Sequence, residues 1–280
     1  MSGSAIRDMT VWVRGAGELA SATAHCLHSV GFRVVLSDLA VPLAIRRTVS
    51  FSEAMIRGTA ELEGIQALQC AFSDVPNVLS QNKIALIEDD LESIGALHPD
   101  IMVDARMLKR HERSLLPLAP ITVGLGPGFH AGRDCHAVIE TLRGHDLGRI
   151  IWKGPARANT GIPGEVGGES YRRVIRAPQS GSIEWVVDIG DVVSVGALMG
   201  RLAGKYEIRA PLQGLVRGLI SPRVPASPGL KIADIDPRGS IVDHLSISDK
   251  ARSVGRGVLE AILIMLNRNA DHGQQVLAGN

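Results

Sequence analysis

Thr10-Val11-Trp12-Val13-Arg14 runs straight into Gly15-Ala16-Gly17-Glu18-Leu19-Ala20. The first five residues have the β-branched, apolar character of a buried strand. Beyond the glycines, Leu19, Ala22, Cys26 and Val30 recur at helical spacing, and Gly31 marks the helix end. Phe32-Arg33-Val34-Val35-Leu36 then reads as a second strand, closed by Ser37-Asp38. A strand, turn, helix and strand within about thirty residues is the size of a βαβ unit.

The turn itself has the pattern G-x-G-x-x-A at Gly15, Gly17 and Ala20. Gly15 allows the tight turn, and Gly17 lets the backbone approach a pyrophosphate with no Cβ in the way. Ala20 allows close packing of helix on strand, and the helix N-terminus faces the phosphates. Asp38 lies 23 residues after Gly15, where a carboxylate accepts from a ribose 2′-hydroxyl. That placement favours NAD over NADP, although Arg46 and Arg47 downstream leave a phosphate-binding alternative open. Glu18 must point away from any phosphate bound here, because like charges repel.

The alternation continues with apolar runs at 84–87, 101–104 and 121–125 and helical stretches around 52–57 and 134–143. Residues 1–9 read as a disordered lead-in. Residues 10–150 read as a Rossmann-like parallel-sheet, nucleotide-binding domain of the α/β class. Gly124, Gly126 and Gly128 surround Pro127 in a second turn after a strand. Its backbone N–H groups are expected to form an anion nest lining the same crevice, with a plain crossover turn as the alternative. Asp104, Arg106 and Lys109 follow the preceding strand and are placed to face that crevice.

From Arg176 the chain becomes Val-, Gly- and Pro-rich and repeats itself. Arg176-Ala177-Pro178-Gln179-Ser180-Gly181 is echoed by Arg209-Ala210-Pro211-Leu212-Gln213-Gly214, an offset of 33 residues. The copies span 176–204 and 209–239, and their apolar positions agree: Ile183 with Val216, Val186 with Leu219, Leu202 with Ile235. Two such copies bury faces that neither could bury alone. This half, 151–280, resembles a small β-rich barrel-sandwich domain of the biotinyl or lipoyl type and ends in a helix over 248–267. Gly255 and Gly257 in that helix predict close packing on the β unit, since each costs about 1 kcal/mol relative to Ala.

Composition narrows the function. Of 280 residues, 45% are hydrophobic and 21% charged, with a formal net charge of +1 and 3% aromatic residues. Neither a nucleic acid nor a membrane surface is favoured by that balance. Three cysteines, Cys26, Cys70 and Cys135, fit no disulfide or zinc framework and suit a reducing, cytoplasmic setting. His130, Asp134, Cys135, His136 and His145 are metal-capable but have no standard ligand spacing, so no metal is expected.

Motifs along most of the chain resemble the YqeB-type selenium-dependent molybdenum hydroxylase system proteins. They include the glycine turn, Pro42-Leu43-Ala44-Ile45-Arg46-Arg47 with Val49-Ser50-Phe51-Ser52-Glu53-Ala54, and Gly124-Leu125-Gly126-Pro127-Gly128-Phe129. Further on are Glu140-Thr141-Leu142-Arg143-Gly144-His145, Asn159-Thr160-Gly161, Gly229-Leu230-Lys231-Ile232-Ala233-Asp234, Asp236-Pro237-Arg238-Gly239 and Ser248-Asp249-Lys250-Ala251-Arg252. The family usually carries Asp where this chain has Glu18. The resemblance implies an accessory role in maturing molybdenum hydroxylases, with a hydroxylase or its maturation machinery as partner. The first half also looks like that of XdhC-type maturation factors. The ligand would then be NAD or the dinucleotide form of the molybdenum cofactor, and self-association stays open.

Two other classes remain. An NAD-dependent oxidoreductase needs a proton donor by the nicotinamide, for which Asp104 and His130 are candidates. A non-catalytic scaffold needs no ligand; its carrier variant would use Lys205, between the two copies, as a modified lysine.

Overall fold

The computed structural model describes residues 6–110 and 113–278. Its first half is one nine-stranded sheet. The strands contributing to it or flanking it are β1 (Thr10–Arg14), β2 (Arg33–Asp38), β3 (Thr59–Leu62), β4 (Ile65–Gln69), β5 (Ile84–Glu88), β6 (Ile101–Asp104), β7 (Ile121–Leu125), β8 (His130–Ala131), β9 (Ala137–Ile139) and β10 (Ile150–Ile151). The spatial order is β10-β9-β7-β6-β1-β2-β5-β4-β3, parallel from β9 to β4 and antiparallel at both edges. The helices are α1 (Glu18–Ser29), α2 (Ala54–Arg57), α3 (Val75–Ser80) and α4 (Leu91–Gly95). Interior strands such as β6 and β7 are buried along their whole length, which is why they read as unbroken apolar runs.

β1 lies between β2 and β6, pairing Val13 with Leu36 on one side and with Val103 on the other. The chain leaves β1 toward β2 and returns much later on the opposite side as β6. The carboxyl end of β1 is therefore the topological switch point, where open α/β sheets form their ligand crevice. The glycine turn occupies that position.

Two expectations fail in this half. Residues 134–143 contain no helix; Ala137, Val138 and Ile139 form β9, fully buried and parallel to β7. β-Branched residues apolar toward both faces suit a covered strand better than a helix with one wet side. Residues 6–9 of the expected lead-in are also placed. Ile6 packs on the core, and the Met9 carbonyl accepts from the Arg33 N–H at 3.1 Å. Residues 1–5 lie outside the described residues.

β11 (Gly154–Pro155) pairs with β8 and leads into the duplicated half. There β12 (Val174–Arg176), β13 (Ile183–Trp185), β14 (Val192–Val193), β15 (Leu198–Leu202), β16 (Tyr206–Arg209), β17 (Gly214–Leu219) and β18 (Lys231–Asp236) form two sheets, ordered β12-β18-β17-β14 and β13-β15-β16. The repeat becomes a pseudo-twofold. The pairing Val193–Gly214 is matched by the bridge Ala226–Gly181. The bond from Ala177 N–H to the Leu230 carbonyl is matched by that from Ala210 N–H to the Ala197 carbonyl, both 2.9 Å. Each copy lends its first strand to the other's sheet, and a single core with Met199, Leu202, Val216 and Ile235 fills the space between them. The expected barrel-sandwich comes to these two sheets; no closed barrel forms among the described residues.

The C-terminal helix, α5 (Asp249–Ala278), departs from its expected place. Its apolar stripe, Ala251, Val254, Val258, Ala261 and Ile262, joins the core of the first half, and its main partner is α1 rather than the β unit. A Cβ on Gly255 would come within 2.9 Å of the Ala22 carbonyl oxygen, and one on Gly257 within 2.2 Å of that of Gly148. The two glycines thus mark close helix approach, against a different surface. No helix among the described residues is long and apolar enough to cross a membrane.

The halves are joined through the segment after β2. The Leu219 N–H donates to the Ile45 carbonyl at 2.9 Å, and Arg47 Nε donates to the Leu219 carbonyl at 2.9 Å. A Cβ on Gly218 would sit 2.7 Å from the Ile45 oxygen, so this seam requires glycine there.

Candidate functional site

At the end of β1, Gly15 takes φ +100°, a conformation L side chains rarely adopt. Its N–H donates to the Ser37 carbonyl at 2.7 Å, and a Cβ would press on the backbone of Ala105 and Arg106 at 3.3 Å. Gly17 is the N-cap of α1, with no side-chain cap, and a Cβ placed on it meets nothing within 4 Å. The first amides of a helix lack intrahelical acceptors and carry the positive end of its dipole. Ala20 is buried behind them, and Ser21 Oγ fixes the turn by donating to the Ala16 carbonyl at 2.8 Å.

A cavity of about 450 Å³ opens at this turn, lined by Gly15, Gly17, Asp38, Leu43, Asp89 and Leu108 among others. Asp38 is bound at both oxygens: Oδ2 accepts from Ala16 N–H at 2.9 Å and Oδ1 from Leu39 N–H at 2.8 Å. Each oxygen keeps a second lone pair for a ligand hydroxyl. Burial pushes the Asp38 carboxyl above its usual range against those two hydrogen bonds, and nearby Asp89 adds to the rise. Asp89 is held by a two-pronged pair with Arg14 and by Ser37 Oγ at 2.8 Å. Two carboxylates on one wall favour a hydroxyl over a phosphate there.

The other sequence candidates separate. Gly124, Gly126 and Gly128 do not line this cavity. Their missing side chains are replaced by the Phe129 ring, Thr141 Oγ1 and the Arg110 backbone, which stand 2.5, 2.5 and 2.8 Å from where a Cβ would be. The three glycines are packed against these neighbours, while Pro127 between them lines the larger cleft between the halves. Asp104 is buried and bound to Arg106, with Arg106 Nη2 to Oδ2 at 2.6 Å. His130 Nδ1 lies 3.0 Å from the Ala131 carbonyl. Neither candidate proton donor for hydride chemistry lines the cavity. Arg47 is occupied by Glu53 and Leu219, and Arg46 faces elsewhere. Lys205 is exposed in the β15–β16 turn behind Ala203 and Gly204, both at positive φ. Among the described residues no group of three or more metal-capable side chains converges. Cys135 is buried and its thiol is pushed up to about 12 by burial.

A second, larger cleft of about 700 Å³ lies between the halves, and Glu18, Leu19 and Met107 line both spaces. Glu18 stands at the border of the two spaces and is tied on the cleft side: its Oε1 accepts from Arg46 Nη1 at 2.9 Å and from Ser248 Oγ at 2.6 Å. The cleft residues Arg46, Arg217, Lys231 and Lys250 were not evident as a set in the sequence, because they come from four distant segments. The available signal was an Arg inside an apolar strand, Leu215-Val216-Arg217-Gly218-Leu219.

Among curated proteins, the chain is similar to the uncharacterized protein YqeB of Escherichia coli strain K12, with 42% identity over 269 residues and 95% of this chain. It spans about half the length of that relative, 50%. No family model matches. Among solved structures, the tRNA N6-threonylcarbamoyladenosine dehydratase TcdA of E. coli, in complex with ATP, overlaps 44% of this chain and 53% of its own, with TM-score 0.26 and 14% identity. An aspartoacylase family protein of Mesorhizobium loti overlaps 81% and 84%, with TM-score 0.29 and 11% identity. Overlaps this loose say nothing about a ligand of this chain.

Proposed function

This chain belongs to the YqeB family, and from that premise we propose that its glycine turn holds the diphosphate of a dinucleotide in support of molybdenum hydroxylase maturation. The carrying observation is Gly17: at the mouth of a 450 Å³ cavity, the space its side chain would take is open. Phosphate oxygens resting there accept from the first amides of α1, whose dipole favours negative charge. Asp38 and Asp89 stand on the wall where a ribose hydroxyl would bind, which suits NAD or the dinucleotide form of the molybdenum cofactor better than a 2′-phosphate. Leu39, Leu43 and Leu108 supply apolar surface for a ring.

An accessory role also needs a surface for a partner, the hydroxylase or its maturation machinery. The duplicated half exposes Val192 and Val195 at 58% and 69%, beyond what its own core requires. A relation to XdhC-type factors belongs to the same proposal.

The test is calorimetric titration of NAD into the wild-type chain and Gly17→Val. Side chains at this position block a pyrophosphate, so affinity should fall by about a hundredfold or more, the loss of two or more charge-assisted hydrogen bonds. Unchanged affinity in the variant removes the glycine turn from the site.

A further inference from the structure

The cleft between the halves gathers basic side chains from both of them. Its lining has nine cationic side chains against four carboxylates, and with Asp249, Asp146 and Asp236, which pair with Arg143, Arg157 and Arg217 from just outside it, a formal surplus of two positive charges remains. Two of the cations, Arg46 and Arg217, are 6% and 7% exposed. Each buries a guanidinium Nε–H with no hydrogen-bond acceptor. Such an orphaned donor costs free energy that native folds normally avoid.

Their other contacts are incomplete compensation. Arg46 pairs with Glu18 at 2.9 Å, whereas Arg217 reaches Asp236 only at 3.5 Å. The two guanidinium groups are close enough to repel, and burial with that repulsion draws Arg46 below its ordinary value. Lys109 and Lys250 make no ion pair with a described residue. Burial also lowers Lys250, and Arg143 and Lys109 lower it further.

Two helix N-termini converge on the same space. Glu18 and Leu19 begin α1, Ser248 precedes α5 and Lys250 lies in its first turn; all four line the cleft. Ser248 Oγ accepts from Ala251 N–H at 3.2 Å and donates to Glu18 at 2.6 Å, which ties the two ends together. Both dipoles add to the field of the side chains.

We propose that this cleft binds a small molecule bearing a phosphate or diphosphate, between Arg46 and Arg217 on one side and Lys109 and Lys250 on the other. A phosphate offers several acceptor oxygens and up to two charges, which matches guanidinium forks, ammonium groups and helix ends together. The cleft's volume suits a nucleotide-sized molecule and not a nucleic acid strand, whose binding would need a basic outer face.

The probe is pyrophosphate, titrated calorimetrically at two salt concentrations into the wild type, Lys250→Glu, Lys109→Glu and Gly17→Val. Binding should weaken with salt. Each lysine reversal should weaken it by about tenfold or more, as for lost charge-assisted contacts. Gly17→Val removes whatever pyrophosphate the glycine turn holds and should keep the binding that the lysine reversals weaken, which separates this site from the glycine turn. Melting curves show which lysine variant is folded, and exposed Lys109 carries the test if Lys250→Glu is not. No binding by the wild type, binding indifferent to the lysine reversals, or binding abolished by Gly17→Val alone would each overturn the assignment.

Discussion

Gly255 of α5 lies against Ala22 of α1 at a distance that admits no side chain: a Cβ would stand 2.9 Å from the Ala22 carbonyl oxygen. The crossing of the last helix over the first is therefore set by a missing methyl group. Replacing Gly255 or Gly257 by Ala gains about 1 kcal/mol of helix propensity. The clash with backbone should more than cancel it, for a net loss of about 1–3 kcal/mol. Urea denaturation should give a lower midpoint, with the larger fall for Gly257, whose contact with Gly148 is tighter. A raised midpoint for Gly255→Ala would mean that α5 does not sit on α1 as described, and one for Gly257→Ala that it does not meet Gly148.

The Glu18–Arg46 pair lies within the first half, on the wall of the cleft, with Arg46 buried. Arg46→Met should destabilise the chain by about 3 kcal/mol, since it leaves a partly buried carboxylate with only Ser248. Adding Glu18→Gln should recover part of that loss. A double-mutant cycle in urea checks it, and simple additivity would show the pair to be uncoupled.

Asp38 accepts two backbone N–H groups, one at each oxygen. Asn has a single acceptor oxygen, so Asp38→Asn should orphan either Ala16 or Leu39 and cost about 1–3 kcal/mol. Thermal unfolding measures the loss. The glycine turn depends on the Ala16 bond, so ligand affinity should fall together with stability.

Cys135 supplies a pH dependence. Its folded thiol ionises only near 12, and it donates to the Ala137 carbonyl at 3.2 Å. An unfolded thiol ionises well below that. The thiol's contribution is fully present below the unfolded value and is lost as pH rises toward 12, by about 1.4 kcal/mol per pH unit. Between pH 8 and 10 the wild type should lose more stability than Cys135→Ala. Alkylation at pH 8 should reach Cys135 only in denaturant. Rapid labelling of the native protein would contradict its burial.

Local order was largely legible in the sequence. β1, the glycine turn, α1 and β2 follow from adjacent residues, and their spacing alone places Asp38 beside Gly15. The 33-residue echo likewise yields the pseudo-twofold, because equal sequences make equal backbone bonds. Long-range choices were not legible. Gly255 and Gly257 announce close contact without saying with what, and α1 and the β unit are equally plausible from the helix alone. Ala137-Val138-Ile139 read as helix because its partner β7 is visible only in space. Gly124, Gly126 and Gly128 resembled a ligand loop, yet they make room for Phe129, Thr141 and Arg110. The basic cleft is gathered from residues as far apart as Arg46 and Lys250, and nothing in sequence order joins them.

The most direct measurement is mass spectrometry of small molecules released by denaturing the natively purified chain, wild type beside Gly17→Val. A dinucleotide bridged by a diphosphate should come from the wild type and be absent from the variant. Equal amounts from both, or a released molecule without a diphosphate, would contradict a cradle at residues 15–20.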